Sequence, residues 1–187
     1  ATQEGASRTG VFSIENFYKR YVGNMPKSNV DWLRIPSSHL LTAVNGKVFE
    51  DPSGQFTSLR EQLLTYYPQD IWLKKLSASL FKMAQAGQYN YSRALKRQDY
   101  ASAYLTCSEF IHGAIAAIYL LNRKYMPFYK WMFRGLDDVD RLSEAKALLQ
   151  NLAATTDSSQ TSESKVQQIE EICGLVKQEL AHQQLST

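Results

Sequence analysis

Apolar and aromatic residues recur at steps of three and four along one long stretch, Asp99 to Trp131. They fall at Tyr100, Ala103, Tyr104, Cys107, Phe110, Ile111, Ala114, Ile118, Leu121 and Tyr125. That repeat predicts a helix that buries a face. Its other side carries Ala101, Ala117 and Leu120 rather than charge, so the helix is expected to be surrounded, as the central rod of a bundle. Asp99 is placed to cap its start. At the far end, Arg123, Lys124 and Lys130 lie among Tyr125, Tyr129 and Trp131, beside Pro127. This aromatic and cationic cluster is the candidate functional surface.

Shorter runs with the same period flank the rod. Residues 12–22 predict a helix with Ser13 as its cap and Gly23 as its end. A loop follows over 24–29, and 31–35 is expected to be extended or turning because Pro36 comes next. Ser37 or Ser38 caps a turn over His39 to Leu41. Val44 to Phe49 places Asn45-Gly46 between short apolar runs, the signal of a tight hairpin. From Phe56 a helix shows the face Leu59, Leu63, Leu64 and Tyr67, with Pro68 ending it. The next carries Ile71, Trp72, Leu76, Leu80, Phe81 and Met83, and Gly87 is expected to bend or stop it. A further helix is expected over about 137–153, through Leu142, Ala145, Leu149 and Leu152. The last carries Val166, Ile169, Ile172, Cys173, Val176 and Leu180. The fold class this predicts is mainly α: an up-and-down bundle of about five helices with a short N-terminal hairpin-like segment. The expected organisation is a flexible leader over 1–10, an N-terminal segment over 11–55 and the bundle over 56–153. A polar linker follows over 154–164, then a C-terminal helix over 165–187 that packs on the bundle.

Composition narrows the picture. Hydrophobic residues make up 44% of the 187, enough for a real core in an ordinary domain. A net charge of +3, mixed along the chain, is too weak to argue for a nucleic-acid partner. Cys107 and Cys173 sit at apolar helical positions and read as buried free thiols rather than a disulfide or a nucleophile. The first ten residues, ATQEGASRTG, lack the apolar core of a signal peptide. Gly113 to Leu121 is about half the length needed to span a membrane. The expectation is a cytoplasmic protein with no membrane partner.

The chain carries no Walker loop, GxSxG, GxGxxG or HExxH pattern, and no cysteine or histidine pair has zinc-ligand spacing. His112 on the central helix reads as a core or capping residue. Asp138 and Asp140 have the spacing of a Mg2+-holding carboxylate pair on a strand. On a helix, positions two apart diverge by roughly 200°, and acidic residues at a helix start complement its dipole; the latter reading is preferred. Lys130, held between Tyr129 and Trp131 after a proline, could present a fixed positive charge to a phosphate. Arg123 and Arg93 would join it if neighbouring helices are antiparallel. From spacing alone the balance favours buried aromatics with solvated cations.

Several stretches carry a resemblance: DWLRIP, LLTAVNGKVFEDPSGQFTSLREQLLTYYPQDIWLKKL, MAQAGQYNYSRAL and LLNRKYMPFYKW. Together they resemble the C-terminal helical domain of bacterial nucleotidyltransferase-like proteins, a domain catalogued as of unknown function, over about Val11 to Leu136. In that family the helical domain follows a nucleotidyltransferase-fold domain, which supplies a Gly-Ser turn and paired metal-binding carboxylates. Neither feature is in this chain, so the catalytic half is expected to be missing: a fragment, or a version without it. The resemblance implies no catalytic residues, metal or cofactor here, with Mg2+ and a nucleoside triphosphate used by the complete protein. The implied partners are the absent nucleotidyltransferase-like domain and a small-molecule substrate. Lys130, Tyr129, Arg123, Arg93 and Tyr89 are the implied nucleotide- or substrate-binding residues, with Lys130 on a phosphate and Tyr89 or Tyr129 against a ring. The competing reading is a stand-alone interaction module that docks through the last helix. A helical nuclease is disfavoured, because no Arg and His stand at its short spacing within one helix.

Overall fold

The chain divides between Tyr67 and Pro68 into two compact units. The computed structural model describes residues 10–186, so the expected leader lies outside the described residues except for Gly10.

In the first unit, α1 (Ile14–Val22) begins where Ser13 Oγ accepts the Asn16 N–H at 3.2 Å, and it ends at Gly23 with φ 73°. Residues 29–34, expected as loop and extended chain, instead form α2 (Asn29–Arg34). The cause is a reciprocal cap: Ser28 Oγ accepts from the Asp31 N–H at 3.3 Å, and Asp31 Oδ2 accepts from the Ser28 N–H at 3.0 Å. Only Ile35 is extended, as Pro36 demands. α3 (Ser37–Val44) and α4 (Gln55–Leu64) follow. Tyr18, Val22, Trp32, Leu40, Leu63 and Tyr67 are buried. α4, expected to open the bundle, therefore belongs to this unit.

The hairpin expected at Val44 to Phe49 is absent, and no strand occurs among the described residues. The turn chemistry is present: Gly46 has φ 80°, and Asn45 Oδ1 accepts its N–H at 2.8 Å. The flanking backbone is not free to pair. Arg60 of α4 donates to Val44 O at 2.7 and 3.1 Å and to Gly46 O at 2.7 Å. Phe49, 91% exposed, buries nothing on the other arm.

In the second unit, α5 (Gln69–Met83), a π-helical segment (Ala84–Tyr91) and α6 (Ser92–Lys96) run on without a break. Gly87 therefore does not stop the helix; it lies within the π segment, where a Cβ would strike the Phe110 ring. α7 (Tyr100–Leu121) starts where Asp99 accepts the Ser102 N–H at 3.0 Å. Those hydrogen bonds, from the Ser102 side chain and N–H, hold the Asp99 carboxyl below its usual range. α7 is antiparallel to α5: Trp72 Nε1 donates to Leu120 O at 2.8 Å near one end, and Phe110 meets Gly87 farther along. Phe110, Ala114, Ile115 and Ile118 are wholly buried. α7 touches α5, the π segment, α6 and both longer helices that follow it, Ala145–Ala154 and Ser162–His182, the central rod that the periodicity predicted.

The apolar length of this rod exceeds the Gly113 to Leu121 run. At 22 residues, with a mean hydropathy of 1.4 in its most apolar window, α7 is long and apolar enough to cross a membrane. Glu109 and His112 do not offset the apolar residues on both sides of them. Of that window, 56% is buried inside the structure, a state that a bundle's core helix also reaches.

Beyond α7, a 3-10 turn (Tyr129–Trp131) and a second (Arg134–Asp138) precede α8 (Ala145–Ala154). The helix expected from 137 thus starts eight residues late. Asn122 Oδ1 accepts the N–H groups of Asp140 and Arg141 at 3.1 and 2.8 Å, and Leu142 takes φ 61°. Neither is compatible with a helix there. The polar stretch before α9 (Ser162–His182) is tied down: the Thr161 hydroxyl donates to Thr156 O at 2.6 Å and accepts the Ser158 N–H at 3.1 Å. The described residues hold more than the five helices expected, in two units rather than one bundle. A short helix set by its cap, such as α2, is too brief to register as a period.

Candidate functional site

The cluster after α7 is built on a helix end. Arg123 takes φ 53°; its N–H donates to Leu120 O at 3.1 Å, and the Lys124 N–H donates to Tyr119 O at 2.9 Å. This double closure satisfies orphan carbonyls and reverses the chain. The Arg123 guanidinium lies 3.4 Å from the centroid of the Trp72 ring and donates to Gln69 Oε1 at 3.2 Å. A cation held so closely over a buried indole is fixed in place. Asn122 Nδ2 bridges Ile118 O and Arg141 O at 2.8 and 2.9 Å, and Lys124 Nζ donates to Asp138 O. The buried Tyr119 hydroxyl donates to Met132 O at 3.0 Å, and burial pushes its ionisation up to about 12.

That scaffold carries a bare surface. Phe128, Tyr129 and Trp131 are 53%, 69% and 49% exposed. Lys130 Nζ and Arg134 Cζ lie 5.9 and 5.7 Å from the Trp131 ring centroid. The preference from spacing, that Trp131 is bundle-end core, holds for Tyr125, which is buried, and not for Trp131. Lys130 is exposed on its 3-10 turn, and it lines neither of the two hollows described below.

Tyr89 and Arg93 form a separate pair. Arg93 stacks on the Tyr89 ring at 4.9 Å and donates to its hydroxyl; Tyr89 is 52% exposed. The structure does not bring them to Lys130 and Arg123. They stand near the start of α7, and the others follow its end. A helix of 22 residues is about 33 Å long at about 1.5 Å per residue.

Two hollows flank the π segment. One, of about 370 Å³, is lined by Phe81, Lys82, Ala86, Asn90, Leu105 and Glu109 among others, with a Lys82–Glu109 ion pair of 2.7 Å. Beside it His112 is pushed down by burial and by Lys82. The other, of about 410 Å³, is lined by Met83, Gln88, Glu170, Cys173, Gly174 and Lys177 among others. Burial pushes the Cys173 thiol up to about 12 and raises Cys107 as well. Neither is poised as a nucleophile.

The most deeply buried polar constellation went unseen in the sequence. Lys165, 1% exposed, forms an ion pair with Asp157 at 2.8 Å and donates to Thr155 O at 2.9 Å. The Tyr91 hydroxyl donates to Asp157 Oδ1 at 2.6 Å, and burial, reinforced by that carboxylate, raises its ionisation. A signal existed. Lys165 stands four, seven and eleven residues before Ile169, Ile172 and Val176, on the buried stripe of α9. Val166, read as part of that stripe, is only half-buried.

Asp137, Asp138 and Asp140 are exposed and precede α8, so they do not cap its dipole; Asp137 pairs with Lys146 and Asp140 with Lys124. Among the described residues no group of three or more His, Cys, Asp or Glu is placed to hold a metal ion. A family model described as a domain of unknown function (DUF4037) matches residues 32–132, more than half of the chain. No curated protein and no solved structure matches it.

Proposed function

Starting from a chain that belongs to the DUF4037 family, a domain of unknown function, we propose that it is the substrate- and nucleotide-side helical domain of a bacterial, cytoplasmic nucleotidyltransferase-like protein. In the complete protein a second domain holds Mg2+ and transfers a nucleotidyl group from a nucleoside triphosphate to a hydroxyl. This chain contributes orientation and positive charge, and by itself it is inactive. One observation supports the reading: three large aromatics, Phe128, Tyr129 and Trp131, lie bare beside Lys130 and Arg134 on a turn anchored by the buried Tyr119–Met132 hydrogen bond. Exposed aromatics grouped with cations on a stiff support suit a planar anionic ligand, which gains stacking and charge-assisted hydrogen bonds at little cost in ordering. Arg123 would hold the base of that surface. Tyr89 and Arg93, a rod's length away, would serve a different part of the substrate.

Titrating ATP with Mg2+ into the full-length protein, with Trp131 fluorescence as the signal, tests the reading. Lys130→Ala is expected to weaken binding about tenfold, the loss of a charged hydrogen bond worth about 1.5 kcal/mol. Unchanged affinity removes Lys130 from the site. A module docking through its last helix would need that helix's apolar stripe uncovered. In this structure α9 lays Ile169, Ile172 and Val176 against its own unit, so no observation favours that alternative.

A further inference from the structure

The continuous helix from Gln69 to Lys96 contains eight π-helical residues, Ala84–Tyr91. A π turn accommodates an extra residue and is rarely stable by itself, so something in the surroundings must select it. Every residue beyond such an insertion is turned back by about 100°, one α-helical step. Tyr91 is the last residue of the segment and is wholly buried. Its hydroxyl reaches Asp157 Oδ1, and its ring lies 5.8 Å from Lys165 Nζ. In an uninterrupted α register, Tyr91 would point about a quarter-turn away and lose both partners.

We infer that the Tyr91–Asp157–Lys165 network is a latch that selects the π register of residues 84–91 and thereby positions Tyr89 and Arg93. Asp157 is held through one oxygen. Oδ1 takes the Tyr91 hydroxyl and the Lys165 ammonium, while the buried Oδ2 has no hydrogen-bond partner. Withdrawal of either partner therefore leaves a buried carboxylate under-bonded, a strong bias toward the intact latch. The loop that carries Asp157 joins α8 to α9, so the latch ties the π segment to the start of α9. Gln88 makes a second tie one turn earlier, donating to Glu170 Oε2 of α9 at 2.8 Å. Both hollows take residues from the π segment, Ala86 and Asn90 for one and Ala84 and Gln88 for the other. A change of register would reshape both and swing the Tyr89–Arg93 pair.

Amide hydrogen exchange of the full chain, resolved by segment, tests the latch without any ligand. Failure here would leave the nucleotide reading standing, and the reverse also holds. Tyr91→Phe removes only the hydroxyl. It is expected to accelerate exchange in residues 84–91 at least tenfold, with residues 110–121 of α7 within twofold of the parent. Asp157→Asn should give the same pattern with a larger factor. An equal acceleration in both segments would mean general loss of stability and overturn the inference, as would no change in residues 84–91. If Asp157→Asn does not fold, Tyr91→Phe decides.

Discussion

At the scale of the residue, this chain closes helices with side chains that glycine usually replaces. Gln98, Arg123 and Gln184 take φ values of 57°, 53° and 57° just beyond α6, α7 and α9. Each completes the same pair of backbone bonds; for Gln98 these are its own N–H to Leu95 O at 2.8 Å and the Asp99 N–H to Ala94 O at 3.0 Å. A left-handed residue with a Cβ costs about 1–2 kcal/mol, and glycine returns part of that gain as chain entropy, about 0.5–1 kcal/mol. Gln98→Gly is therefore expected to stabilise the protein by about 0.5–1 kcal/mol, read as a higher urea midpoint at unchanged slope. Arg123 is different, because its guanidinium covers Trp72. None of these closures was legible in the sequence, since the punctuation that marks them, glycine or asparagine, is absent. Gly23 carries that punctuation, Ser13 and Asp99 carry its counterpart at helix starts, and all three act where the sequence places them.

At the scale of the element, two helical glycines of the second unit, Gly87 and Gly174, have opposite surroundings. A Cβ on Gly87 would meet the Phe110 ring, whereas one on Gly174 of α9 would meet nothing within 4 Å. Gly87→Ala is expected to destabilise by about 1–3 kcal/mol through overpacking. Gly174→Ala is expected to stabilise by up to about 1 kcal/mol through helix propensity. Thermal or urea unfolding of the two variants side by side checks the contrast. Sequence reasoning had Gly87 bend or stop the helix because a lone glycine in a helical pattern usually weakens it. Its actual role, close approach of α7 to a π segment, depends on a neighbour remote in the chain. The candidate site divides in the same way. That Lys130 and Trp131 share a stiff turn was legible from Pro127 and the spacing; that Arg93 lies a rod's length away was not.

At the scale of the whole molecule, acid stability follows from carboxylates bonded in the folded state. Backbone and side-chain donors hold Asp31, Asp51 and Asp99 below their usual range, and Lys82 does so for Glu109. Glu179 is lowered too: burial pushes it up, but Gln183 and Arg141 outweigh it. The unfolded chain, with ordinary values near about 4, takes up protons first as pH falls. The stability these groups supply is therefore complete above about pH 5 and is lost as pH drops through their folded values. His112, lowered by burial and Lys82, acts with the same sign from about pH 6.5 downward. Urea midpoints should decline gently below about pH 6.5 and steeply below about pH 4, and His112→Gln should abolish only the first decline. The sequence by itself determined the mainly helical class, the central rod and the caps at Ser13, Gly23 and Asp99, because period and capping chemistry act over a few residues; Ser37 and Ser38, expected as a cap, instead lie inside α3 behind Pro36. Only the tertiary structure decided the rest: the division at Tyr67, the loss of the hairpin to Arg60, the π register and the burial of Asp157 and Lys165 against Tyr91. Each of these depends on a partner many residues away, and no local pattern encodes which partner arrives.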